Sequence, residues 1–240
     1  MIIKTQEYTP DTTTAISIFD NSLKLDRANL ICISARVGMG KTSLALHIAL
    51  EYAMKSKKAV YFISSDHYSS EMYTRLLCSL SKTNVSKTVS RNHSTEEKAR
   101  LVTAYNTLKK LNIVISDEAT PVDFLYDQDD IGLVIIDSEN VSSLFIHSLK
   151  DVAKRKNIPV IFTHKLDKSL EKRKDKRPTL NDMQDIYQDV DTVVFIYREG
   201  YYATSEDEAH TDAEIIIAKN RYSPLNTFRM KWQGEYMTFC

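Results

Sequence analysis

The stretch "ICISARVGMGKTSLALHIA", residues 31–49, constrains the fold more than any other part of the chain. Ile31, Cys32 and Ile33 form a β-rich apolar run that breaks at Gly38 and Gly40, after which Leu44, Ile48 and Ala49 recur at helical spacing. A strand, a glycine loop and a helix thus follow one another. That junction is an anion site, because the first-turn amides of a helix lack internal acceptors and carry the positive end of its dipole. Lys41 is placed to reach β- and γ-phosphates, and the Thr42 hydroxyl to hold Mg²⁺. The segment from Ala35 through Arg36, Val37, Gly38, Met39, Gly40 and Lys41 to Thr42 and Ser43 is therefore the expected binding site for ATP or ADP with Mg²⁺. Ala35 stands where the strict P-loop pattern has glycine, which is acceptable if the chain turns there without positive φ.

The rest of the chain must supply a fold that can hold this loop. At 240 residues it is long enough for one well-buried α/β domain and short for two. We expect a single domain over 1–240, with 1–28 an extension ahead of the P-loop strand. Formal net charge is zero, so a nucleic-acid or anionic-membrane partner has to be argued from a local patch. Cys32, Cys78 and Cys240 are odd in number and widely spaced, which fits a reducing compartment. With neither a signal-like N-terminus nor an apolar run of bilayer length, the expectation is a cytoplasmic protein with no membrane partner.

Strand and helix patterns alternate. "AVYFIS" (59–64), "NIVIS" (112–116), "GLVIID" (132–137) and "IPVIFTH" (158–164) read as short buried strands. Residues 69–80, 94–111 and "SLFIHSLKDVAKRK" read as helices, the second opened by a Ser94–Glu97 capping box. Such alternation predicts a mostly parallel central sheet with helices on both faces. From 191 onward "DTVVFIY", "EIIIAKN", "TFRMKW" and "EYMTF" are separated by turns, which predicts an antiparallel extension of that sheet.

Ligands of open α/β sheets bind outside the carboxyl ends of the strands. Asp137, closing "LVIID", is placed to be the second Mg²⁺ contact; Asp66, just after "VYFIS", to orient a water against the γ-phosphate. His164 and Lys165 end "IPVIFT", where a sensor of that phosphate would sit. Asp also begins turns for reasons of its own, and for Asp66 that reading stays open.

"ARVGMGKTSLALHIA", "VYFISSDHYSSEMYTRLLCS", "SLKDVAKRKNIPVIFTHKLDKSLEKRKDKRP", "DVDTVVFIYREGYY" and "EIIIAKNRYSP" together resemble, in order and nearly in spacing, the ATPase domain of DnaB-type replicative DNA helicases. The resemblance covers about 30 to 240. It implies a RecA-like P-loop fold that hydrolyses ATP in a hexameric ring, with nucleotide between subunits. Lys41 and Thr42 then match the phosphate and Mg²⁺ ligands, and Asp137 the second metal carboxylate. Lys219 and Arg221 match the basic pair that such helicases insert into the neighbouring subunit's ATP site.

The departures from that family carry expectations too. Asp66 stands where the family has Glu and is one methylene shorter, so slow hydrolysis is expected. Lys165 replaces a Gln at the sensor position and adds a charge. The loops that in such helicases track single-stranded DNA are short here: "SENVSSLFIH" follows Asp137, and "DMQDIYQDVD" has lost residues including a glycine. A collar domain and linker helix ahead of the ATPase domain are not expected, since the P-loop begins about thirty residues into the chain. The segment "HKLDKSLEKRKDKRP" (164–178) carries seven Lys or Arg against three acidic residues, and reads either as a phosphate-backbone contact or as a solvated loop. Two classes of function follow. One is a DNA-replication motor that hydrolyses ATP and binds single-stranded DNA as a homo-oligomer. The other is a reduced relative that binds nucleotide but acts by contacting a helicase or another replication protein.

Overall fold

A computed structural model describes residues 5–6, 22–117, 122–138, 141–203 and 211–240. Most of the expected 1–28 extension, and part of the loop after Asp137, lie outside the described residues. The first pair of residues in extended conformation, β1 (Thr5–Gln6), precedes the P-loop unit of β2 (Asn29–Ala35) and α1 (Lys41–Lys55). Then come β3 (Ala59–Ser64), α2 (Ser69–Ser81), α3 (Val85–Val89), α4 (Thr95–Leu108) and β4 (Ile113–Ser116). These are followed by α5 (Val122–Tyr126), β5 (Ile131–Asp137), α6 (Ser143–Lys156) and β6 (Pro159–Lys165). Two 3₁₀ turns, Lys168–Lys172 and Leu180–Met183, lead to α7 (Ile186–Asp189) and β7 (Thr192–Tyr197). The chain closes with β8 (Asp212–Asn220), β9 (Asn226–Gln233) and β10 (Thr238–Phe239).

The strands form one sheet in the order β1-β9-β8-β7-β2-β6-β5-β3-β4, with β10 paired to β9. From β7 across to β4 every pairing is parallel, whereas β8 runs antiparallel to both β7 and β9. The mostly parallel sheet with an antiparallel C-terminal extension is thus what the alternation predicted. Period-2 side-chain alternation explains why both faces are covered. Ile31 and Ile33 of β2 pack with Leu44 and Ile48 of α1 on one face, while Leu30 and Cys32 pack with Ile146 and Leu149 of α6 on the other.

Local signals set the helix boundaries. Ser94 accepts from the Glu97 amide while Glu97 accepts from the Ser94 amide, the capping box expected there, and α4 stops at Leu108 rather than 111. Ser142 caps α6 through the Phe145 amide, and Asn157 ends it in left-handed backbone. The short elements α3 and α5 and the pairing of β1 escaped the pattern, being too brief to show a period.

Among the described residues no helix is long and apolar enough to cross a membrane. Cys32, Cys78 and Cys240 are free.

Candidate active site

The centre of the sheet edge is where β2, β6 and β5 end side by side. β2 delivers the chain into the loop, and Ala35, its last residue, is fully buried extended backbone paired with Lys165. The turn is made instead by Gly38 (φ +75°) and Gly40 (φ +105°), so alanine at 35 costs nothing. Gly40 occupies the N-cap of α1 without a side-chain hydrogen bond, and no acidic residue lies in the first turn. The first helical bond there runs from the Leu44 amide to the Gly40 carbonyl at 2.9 Å. The amides of residues 41–43 therefore lack intrahelical acceptors and present a positive end to an anion.

Lys41 and Thr42 sit on that first turn, and Lys41 is buried. The Thr42 hydroxyl donates to Asp137 at the end of β5, 2.9 Å from Oδ2 and 3.2 Å from Oδ1. The pair is therefore in contact across 95 residues of sequence. Asp137 is only 3% exposed. Burial pushes its carboxyl above the ordinary range, opposed by the hydroxyls of Thr42 and Thr163 and then by the charges of His67 and Lys41. A buried carboxylate beside a hydroxyl is a hard-oxygen pair of the kind Mg²⁺ takes together with phosphate oxygens and water. The donor set fits the ion. Among the described residues no group of three or more His, Cys, Asp or Glu could hold a metal without such outside ligands.

The other expected residues divide by position. Asp66 is exposed in the loop after β3, two residues past Ser64, which pairs with Asp137, and it accepts from the Ser65 hydroxyl at 3.3 Å. The two sensor candidates take different environments. His164 is half-buried with Nδ1 3.1 Å from Ser34 Oγ, and its imidazole is held below the ordinary range by burial and then by the charge of Lys41. Lys165 is exposed, and both residues line a cleft of about 470 Å³ with Arg36, Val37, Lys168, Asp182 and Ile186.

Lys219 and Arg221 are not brought to this loop. Lys219 pairs with Val193, which pairs with Cys32, three residues before the end of β2; Arg221 lies beyond, its amide bonded to the Asp191 carbonyl. Both stand toward the opposite edge of the sheet. Lys219 Nζ donates to the carbonyls of Tyr187 (2.7 Å) and Gln188 (3.2 Å), and Arg221 pairs with the buried carboxylate of Asp191 at 3.1 Å. Asp191 also accepts from the Leu30 amide.

The basic segment 164–178 is less available than its composition suggests. Arg177 makes two 2.8 Å bonds to Glu214 and stacks on Tyr197, Arg173 pairs with Asp182 at 3.0 Å, and Lys176 lies over the Tyr202 ring. Arg177 fastens the segment to the sheet through Glu214 and Tyr197, while Arg173 and Lys176 hold it to the turns at Asp182 and Tyr202, so the reading of a freely solvated loop does not hold for these three.

Sequence reading missed several groups at the site. Arg198 donates to the Gly38 carbonyl at 3.1 Å and lies over Trp232, 4.7 Å from its centroid. Trp232 and Phe239 pack with centroids 4.9 Å apart beneath Gly40, and Tyr201 abuts Gly38. Nothing in the spacing of 198–239 announces these contacts; they follow from the antiparallel strands folding back past β7. Thr163 was missed as well, its hydroxyl 2.9 Å from Asp137 Oδ1.

The family described as DnaB-like helicase C terminal domain matches residues 12–240. The replicative DNA helicase DnaB of Buchnera aphidicola subsp. Baizongia pistaciae is 34% identical over 246 residues, covering 90% of this chain and 52% of that protein. That of Geobacillus stearothermophilus is 30% identical over 239 residues, covering 89% and 52%. Among solved structures, the ATPase domain of G40P superposes with a TM-score of 0.82 at 28% identity, covering 93% of this chain and 88% of that one. A DnaB-like replicative helicase, studied for its interactions with primase, gives 0.81 at 27%, covering 93% and 60%. The chain spans about half the length of the curated relatives it matches.

Proposed function

Because the chain belongs to the family of DnaB-like helicase C-terminal domains, we propose that it is an ATP-hydrolysing motor domain of DNA replication whose Ala35–Ser43 loop binds ATP or ADP with Mg²⁺. The observation that carries this reading is the Thr42–Asp137 contact at the open N-terminus of α1, which joins a phosphate cradle to a metal carboxylate. In the reaction, the loop amides and Lys41 hold the β- and γ-phosphates, and Thr42 and Asp137 hold the ion. Bound Mg²⁺ supplies charge neutralisation for the transferring phosphoryl group. Asp66 orients the attacking water, and the half-buried His164 and exposed Lys165 flank the γ-phosphate side. Charge stabilisation is completed by a second copy of the chain, which contributes Lys219 and Arg221. Their distance from their own loop supports action in trans.

On this reading the chain works as a homo-oligomer. Single-stranded DNA, drawn to the Lys165 and Lys168 cleft, is bound weakly, because Arg173, Lys176 and Arg177 are engaged within the protein, and its binding falls with salt because the contact is to phosphate. The test is turnover per chain over a wide concentration range, with and without single-stranded DNA, paired with light scattering. Turnover should rise with concentration, Arg221→Ala should remove the rise while sparing nucleotide binding, and Lys41→Ala should abolish binding. Firm ATP binding with no turnover at any concentration would refute the motor and favour a nucleotide-binding interaction protein. Equal nucleotide affinity in Lys41→Ala would refute the site.

A further inference from the structure

β6 lies between β2 and β5, so its C-terminal end reaches both strands that lead to a candidate metal ligand. Toward β2, His164 meets Ser34. Toward β5, the register sets Ile136 beside Phe162 and brings Thr163 next to Asp137. We propose that Thr163 is the positioning residue of the Mg²⁺ site, its hydroxyl fixing the rotation of the Asp137 carboxylate so that Oδ2 is the oxygen presented beside Thr42. The proposal rests on reading Thr42 and Asp137 as the ion's ligands.

A threonine hydroxyl has one proton to give and lone pairs to receive. Here it accepts the Ser138 amide at 3.0 Å. Two oxygens compete for its proton: Asp137 Oδ1 at 2.9 Å and the Ser138 carbonyl at 3.3 Å. The carboxylate is nearer and charged, and charge-assisted bonds are the stronger, so the proton goes to Oδ1. Thr163 is 1% exposed, which keeps water from substituting for it. With Oδ1 engaged by Thr163, Oδ2 is the oxygen nearer the Thr42 hydroxyl, 2.9 Å away against 3.2 Å for Oδ1. Mg²⁺ demands near-ideal octahedral geometry, so a carboxylate free to turn about its Cβ–Cγ bond is a poorer ligand than one held in a single rotation.

The hydroxyl, and not the bulk of the side chain, is what the proposal requires. Thr163→Val keeps shape and removes the bond, whereas Thr163→Ser keeps the bond. Binding of a fluorescent ADP analogue to the full chain is followed while Mg²⁺ is titrated, with circular dichroism to confirm folding. Thr163→Val should raise the Mg²⁺ concentration for half-maximal binding by about 10–100-fold, the range found when partners of metal ligands are removed. Thr163→Ser should stay near the parent, and metal-free nucleotide binding should be alike in all three. An unchanged Mg²⁺ requirement in Thr163→Val, with a raised one in Asp137→Asn, overturns the proposal and leaves the ligand assignment standing. No rise in either variant overturns the assignment itself. Equal rises in Thr163→Val and Thr163→Ser assign the effect to packing and also overturn the proposal. Should Thr163→Val fail to fold, Thr163→Ala takes its place in the same titration.

Discussion

Replacing Gly40 by alanine puts a methyl group where the Phe239 ring already is. A Cβ at this position would lie 2.7 Å from Phe239 Cζ, 3.0 Å from Cε2 and 3.3 Å from Trp232. The ring cannot swing aside at no cost, because Phe239 is 1% exposed and packed against Trp232. Two terms add. Holding a non-glycine residue at φ +105° costs about 1–3 kcal/mol, and overpacking a filled core costs about 1–3 kcal/mol more. The sum, about 2–6 kcal/mol, corresponds to a fall in melting temperature of about 4–24 °C for a domain of this size. Nucleotide affinity should fall as well, since relief of the clash moves the loop that carries the phosphate amides. Thermal melts and fluorescent-ADP binding would be read across a cycle of Gly40→Ala, Phe239→Ala and the double variant. Phe239→Ala alone should cost about 3–5 kcal/mol through the cavity it leaves. In the double variant the methyl enters that cavity, so the combined loss should fall short of the sum by about 1–3 kcal/mol. Strict additivity, or a Gly40→Ala protein that melts and binds like the parent, would refute the claim that the C-terminal strands brace the P-loop through this ring.

Asp66→Glu should raise kcat with little change in nucleotide affinity, because lengthening the carboxylate toward an attacking water acts mainly in the transition state; a flat or lower rate in steady-state assays would make Asp66 a turn residue. Breaking the Arg177–Glu214 pair with Arg177→Met should lower stability by about 1 kcal/mol, since the guanidinium is partly exposed; the readout is the urea midpoint, and an unchanged value means that the segment is held by its other contacts. Burial, with the charge of Lys82 adding, pushes the His47 imidazole down to about 4, and its Nε2 is buried without a hydrogen-bond partner. The unfolded chain protonates this side chain near pH 6.5, so folding stability is fully present above that and falls by up to about 3 kcal/mol as pH drops toward 4. His47→Leu should flatten this acid limb, and urea midpoints at pH 7 and 5 that fall equally in both proteins would refute the assignment.

Much of the fold could be read from one dimension because its signals are local. The apolar run, the two glycines and the helical spacing of 31–49 each act within a few residues, and β2, the loop and α1 form as that pattern dictates. The Ser94–Glu97 box likewise formed where its spacing placed it. The place of Asp137 at the end of a buried strand was legible because an apolar run closed by a carboxylate is a local pattern, although its contact with Thr42 spans 95 residues. Lengths of short elements and the end of α4 were not legible, since a helix of a turn or two shows no period.

Tertiary structure decided what depends on strand order. Composition along 164–178 marks a basic segment, but only the fold shows that Arg173 and Arg177 are committed to Asp182 and Glu214, the latter 37 residues away. Adjacent His164 and Lys165 are equivalent as sequence; both reach the cleft, but strand alternation sets His164, half-buried, against Ser34 and leaves Lys165 exposed. Thr163 is unremarkable until β6 is seated between β2 and β5, where its hydroxyl meets Asp137. The sequence by itself determined the strand, the glycine turn and the open helix start of 31–49, because these are made of neighbours along the chain. Which side chains brace that loop, and which cations stand too far from it to serve it in cis, was decided only when ten strands took their order in space, since hydrogen-bond register places residues side by side regardless of how far apart they lie in the chain.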